Sequence, residues 1–157
     1  MRLAVVLAAL ALSACAAGPG PRDRYARMLT PTANPSKVGA AELGFARAAR
    51  EDGQWTAFRE LARDEAVMFV PEPVAARDWL ANRAEPSEAV RWQPHHVWSS
   101  CDGSLAVTRG AWQSADGSQG YFTNVWQRDS DGDYRWTLNQ GEALDTPVEA
   151  PEFVRTD

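Results

Sequence analysis

Histidine is nearly missing from this 157-residue chain: there are two, His95 and His96, and they are adjacent. Neighbours along a strand point to opposite faces, so the pair cannot chelate one ion as a His-x-His spacing could. Cysteine is equally scarce, with Cys15 and Cys101 alone and no HExxH, CxxC or mixed Cys/His cluster, so no metal site is expected. GxSxG, GxGxxG and GK[ST] are absent as well, which removes three common enzyme signatures and leaves no cofactor implied. Sixteen Lys and Arg stand against 21 Asp and Glu, a net charge of -5, and the bases form no run or stripe. A nucleic-acid partner is therefore not expected. The acidic stretch Asp129 to Asp133 places Tyr134 and Gln140 where a calcium loop needs glycine and a bidentate glutamate, so it reads as a hairpin turn. No apolar run approaches the roughly twenty residues of a membrane helix.

What is present begins at the N-terminus. Arg2 followed by the apolar run LAVVLAALAL has the charge and length of a signal peptide. The next four residues, LSAC at Leu12 to Cys15, resemble the bacterial lipobox, which implies cleavage after Ala14 and acylation of Cys15. Two or more acyl chains anchor a protein stably without spanning the bilayer. Ala16, rather than an aspartate, follows the cysteine, and the resemblance then implies the cell envelope, at the outer membrane facing the periplasm. Residues 1–14 are thus expected as a signal peptide and 15–37, rich in Pro, Gly, Ala and Thr, as the lipidated cysteine and a flexible tether. Cys101 is left without an intramolecular partner and reads as a thiol packed near a turn.

A composition of 45% hydrophobic and 24% charged residues fits one globular domain with a modest core. Ser36 offers an N-cap, and Val38, Ala41, Phe45, Ala48 and Ala49 recur at helical spacing until Gly53. Trp55, Phe58, Leu61 and Ala62 mark a second helix ending near Asp64. Ala66 to Val70 reads as a buried strand stopped by prolines, and VAARDWLANR as a short third helix. Asp-Gly dipeptides at 102–103, 116–117 and 131–132 then punctuate four antiparallel strands, 89–100, 104–114, 119–128 and 133–141. Residues 142–157 read as an irregular acidic tail.

This order is α+β: N-terminal helices packed on a strongly bent antiparallel sheet. Through FARAAREDGQWTAF, RGAWQ, GYFTNVWQR and YRWTLNQG, in that order, residues 38–141 resemble the nuclear-transport-factor-2-like superfamily, the cone-like barrel shared by SnoaL-like cyclases and ketosteroid isomerases. The resemblance implies the cone and a homodimer through the sheet.

With even-length hairpin loops, one sheet face carries Trp92, His96, Trp98, Arg109, Asn124, Trp126 and Asn139, and a drier one carries His95, Thr108, Trp112, Tyr121 and Trp136. The first has the make-up of a ligand pocket, aromatic with a few convergent polar groups. Three functions follow. The leading one is a non-enzymatic envelope domain binding a small apolar ligand or acting as an interaction module. The second is an isomerase, cyclase or lyase in which His96 is the general base, Arg109 or Tyr121 the donor and Asp64 a remote substitute. The third is a structural envelope protein whose cone is filled by its own tryptophans. The first, without chemistry, is preferred.

Overall fold

In the computed structural model, residues 33–145 are described; the expected signal peptide, Cys15, the tether up to residue 32 and the tail from residue 146 lie outside them. Helix α1, Pro35–Glu51, starts from Asn34 rather than from Ser36, with proline in the first turn where its missing N–H costs nothing. After the break at Asp52 and Gly53, α2 runs Gln54–Leu61. It has no N-cap side chain of its own, and Glu85 supplies the service from a distance. The Glu85 carboxylate accepts the backbone N–H of Trp55 at 2.7 Å and of Thr56 at 2.8 Å, and binds Arg59 at 3.1 Å. That capping holds Trp55 and Phe58 in place.

Strand β1 is Ala62–Phe69, longer than expected because it starts directly where α2 stops, and β2 is the short Pro73–Ala75. The Val70–Pro71 peptide between them is cis. Helix α3, Ala76–Leu80, occupies only the middle of the segment read as helical. The remaining strands are β3 Arg91–Ser99, β4 Leu105–Gln113, β5 Gln119–Arg128 and β6 Tyr134–Ala143, all within two residues of the expected bounds, with β6 reaching two residues into the presumed tail.

These strands form one sheet in the order β2-β1-β6-β5-β4-β3. It is mixed rather than wholly antiparallel, because β1 pairs parallel with β6, Met68 opposite Asn139. A parallel pair needs a long connection, and the whole meander from β2 to β5 provides one. Helix α1 lies across β3 and β4. Phe45 on α1 anchors the packing, with ring centroids 4.6 Å from Phe58, 5.0 Å from Trp92 and 5.9 Å from Trp126. Neighbouring strands β3 and β4 press together at Gly110, where a Cβ would lie 1.9 Å from the Gln93 carbonyl oxygen, so no other residue fits without a backbone shift.

Side-chain parity along this sheet is set by its loops. Ser114 and Asp129 donate their N–H groups to the carbonyls of Ser118 and Asp133, closing the odd-length loops 115–117 and 130–132. Gly117 (φ +87°) and Gly132 (φ +93°) take the left-handed position that this kind of loop requires. The Asp116 carboxylate locks the first loop by accepting the Ser114 hydroxyl at 2.5 Å and the Ser118 N–H at 2.9 Å. Those donors, Ser114 foremost, hold its pKa at about 2. Odd loops pair residues of like parity, Val107 with Val125 and Thr108 with Asn124, where even loops would have paired unlike ones.

Candidate functional site

Between the helices and the concave face of the sheet lies a cavity of about 500 Å³. Phe45 of α1 and Gln54, Trp55 and Phe58 of α2 form one wall; Met68, Phe69, Val70, Pro71 and Trp79 form the β1–α3 side. The sheet contributes Trp92, Trp112, Phe122, Asn124 and Asn139, with Gly141 and Ala143 beyond them. Trp55 and Trp79 meet edge to face at 5.1 Å, and the exposed Arg83 guanidinium lies 3.4 Å from the Trp79 ring centroid. None of the lining residues is ionisable.

Behind this wall sits the most consequential polar group in the fold, Glu42, fully buried on α1. Its Oε1 accepts Trp92 Nε1–H at 2.7 Å, and its Oε2 accepts the Thr108 hydroxyl at 2.5 Å and Trp126 Nε1–H at 2.9 Å. Asn124 Nδ2 lies 3.0 Å from both oxygens. Indole nitrogens only donate, so Trp92 and Trp126 both need the acceptor oxygens that Glu42 supplies. Each donor comes from a different place in β3, β4 or β5, so this one acid ties the helix to three strands.

The same geometry orients Asn139, and a separate backbone contact orients Gln54. Because Asn124 turns its nitrogen to Glu42, its Oδ1 faces the other way and accepts Asn139 Nδ2–H at 2.6 Å. Gln54, also buried, accepts Val90 N–H through Oε1 at 2.8 Å. The polar side chains of the cavity lining are therefore three oriented amides, Gln54, Asn124 and Asn139, rather than acids or bases.

Four of the seven residues expected on one face reach the concave side, and three do not. Trp92, Asn124 and Asn139 line the cavity; Trp126 is on the same side but packed entirely in the core beneath it. His96, Trp98 and Arg109 lie on the convex face, a correction with an identifiable cause. Pro94 pairs with Gly110 and His96 with Arg109, leaving His95 as an extra residue in a bulge. One inserted residue inverts the alternation, so Trp92 points in while His96 and Trp98 point out. His96 is exposed and stacks on Trp98, ring centroids 5.3 Å apart, while Arg109 lies over the ring of Tyr121 at 5.5 Å. A second bulge, at Thr137, turns both Trp136 and Asn139 inward. Thr108, Trp112 and Trp136, assigned to the drier face, are thereby concave-side residues. Asp64 is exposed and paired with Arg77, and Cys101, expected to be packed, is exposed in the β3–β4 loop. No cluster of three metal-ligating side chains occurs among the described residues.

Glu42 is the residue that pattern reading missed. It falls on the buried stripe of α1 with Val38, Phe45 and Ala49, and an acid at such a position is the signal of a buried polar centre.

No family model and no curated protein sequence matches the chain. Solved structures do match. A provisionally assigned ketosteroid isomerase from Parabacteroides distasonis superposes with a TM-score of 0.55 at 15% identity, over 74% of this chain and 92% of that one. The hub of a CaMKII from S. rosetta gives 0.53 at 15%, over 73% and 99%. An NTF2-like protein of unknown function from Shewanella baltica gives 0.52 at 9%, over 82% and 100%. The chain thus has the nuclear-transport-factor-2-like fold, in which helices pack on a six-stranded mixed sheet. Fold alone does not choose among the activities such scaffolds carry.

Proposed function

We propose that this nuclear-transport-factor-2-like cone is a small-molecule-binding domain of the bacterial cell envelope, tethered by lipid at Cys15. The observation that carries the binding reading is the lining of the cavity: aromatic rings with a few fixed amides, and no ionisable group. The buried acid behind it has both oxygens occupied by donors, so it orients the wall rather than taking protons from a ligand. His96, the candidate base, lies on the opposite face of the sheet from the cavity. Against a cone filled by its own tryptophans stands the open volume of about 500 Å³.

N-Phenyl-1-naphthylamine, a neutral dye that brightens in apolar sites, tests the reading. The full chain should enhance its fluorescence at one dye per protein. Gly141→Phe should abolish that enhancement without unfolding, because a Cβ there meets only Trp112, at 3.8 Å. Enhancement that is absent in the parent protein, or that persists in Gly141→Phe, would overturn it. For the tether, labelled palmitate should be incorporated by the wild type and not by Cys15→Ser.

The convex face is proposed to be covered by a second copy of the chain. Trp98 is 53% exposed, Leu105 44% and Tyr121 37%, a concentration of apolar surface on one side of one sheet.

A further inference from the structure

We infer that the ligand is a lipophilic cation, such as an aromatic or alkyl ammonium; this rests on the cavity being a binding site. Eight aromatic side chains line it and no positive charge does. Aromatic faces carry negative electrostatic potential and hold ammonium groups, most strongly where water is excluded. Trp79 already holds a cation in this way, since Arg83 lies 3.4 Å over its ring, outside the lining and exposed to solvent.

The polar wall adds a second and independent reason. Glu42 is a buried carboxylate whose partners, Trp92, Thr108, Asn124 and Trp126, are all neutral. They satisfy its lone pairs and fix the direction in which the amide beside them faces. Asn124 and Asn139 then stand head to tail from it, each nitrogen toward the acid and each carbonyl oxygen away. Two aligned amide dipoles carry the negative end forward to Asn139 Oδ1, on the cavity wall, which has no hydrogen-bond partner among the described residues. A ligand presenting a carbonyl or carboxylate to this wall would meet like partial charge. One presenting an ammonium, or the positively polarised methyl groups around a quaternary nitrogen, meets an oriented acceptor and aromatic faces on the remaining sides.

Charge can be isolated from shape with two probes. Benzyltrimethylammonium and neopentylbenzene differ only in having nitrogen or carbon at the branching atom. Titrated against the full chain and followed by quenching of tryptophan fluorescence, the cation should bind about tenfold tighter or better. In Asn139→Leu that preference should shrink to a few-fold at most, the neutral probe binding as well as before or more tightly. Glu42→Gln should shrink it too, but that variant strikes at the core; Asn139 is only partly buried, so its replacement keeps the test open if Glu42→Gln does not fold. Equal or better binding of neopentylbenzene to the parent protein would overturn the cation preference and leave the binding reading standing. A preference undiminished in Asn139→Leu would overturn the relay as its source. If neither probe quenches, the inference fails, and the dye experiment with Gly141→Phe decides separately whether the cavity binds anything.

Discussion

The two faces of this sheet are alike in composition and opposite in behaviour. Concave and convex sides both carry tryptophan, a second aromatic and several polar residues. On the concave side the polar groups Trp92, Thr108, Asn124 and Trp126 converge on one acid delivered by a helix, and all but Trp92 are fully buried. On the convex side, among the described residues, His96 stacks on Trp98 and Arg109 lies over Tyr121, and all four are exposed in the single chain. What makes a face into a site here is an element from outside the sheet that gives its donors a common acceptor, rather than the residues the strands present.

The sharpest way to break the contrast is to remove that acceptor. Glu42→Leu keeps a similar volume but takes the shared acceptor away from Trp92, Thr108, Asn124 and Trp126, and should cost about 3–5 kcal/mol of unfolding free energy in a denaturant titration. A loss under about 1 kcal/mol would mean that the donors find other partners and that Glu42 does not organise the concave face. Next in size is a pair of changes at two fully buried tryptophans. Trp126 Nε1–H bonds both Glu42 and Thr108, at 2.9 and 3.0 Å, whereas Trp136 Nε1–H has no partner among the described residues. Trp126→Phe should cost about 2 kcal/mol more than Trp136→Phe, because only the first gives up hydrogen bonds. Equal costs would reduce both residues to bulk.

The sequence made the elements legible and the faces not. Helical spacing from Val38 to Ala49, the prolines after Val70 and three Asp-Gly turns sufficed for nearly all of the helices and strands, because those signals are local. Face assignment depends on counting residues between partners, and single insertions at His95 and Thr137, with odd loops at 115–117 and 130–132, changed the count four times. No residue in the QPHHV stretch marks the bulge except Pro94, whose missing N–H makes it a natural place for the ladder to break. Of the candidate site, Trp92, Asn124 and Asn139 were found because errors of parity cancelled for them. Glu42 was passed over because its neighbours on α1 complete an apolar stripe without it. The parallel β1–β6 pair was out of reach for another reason: its partners are some seventy residues apart, and nothing local records such a pairing.

The smallest expected effect on stability belongs to the convex side, and it bears on the comparison from the other direction. Trp98 is half exposed, and its only ring neighbour among the described residues is His96, so Trp98→Ser should leave the unfolding free energy within about 0.5 kcal/mol. If a second copy covers this face, the same change should shift sedimentation toward a slower species at a given concentration, because each copy would contribute the ring once to a two-fold interface. A dimer unaffected by Trp98→Ser would place its interface elsewhere and leave the convex aromatics without an assigned partner. A monomer at all concentrations would refute the covered face outright. Either outcome leaves the cavity untouched, since no residue of the His96–Trp98 stack lines it and the Glu42 network reaches only the other side of the sheet.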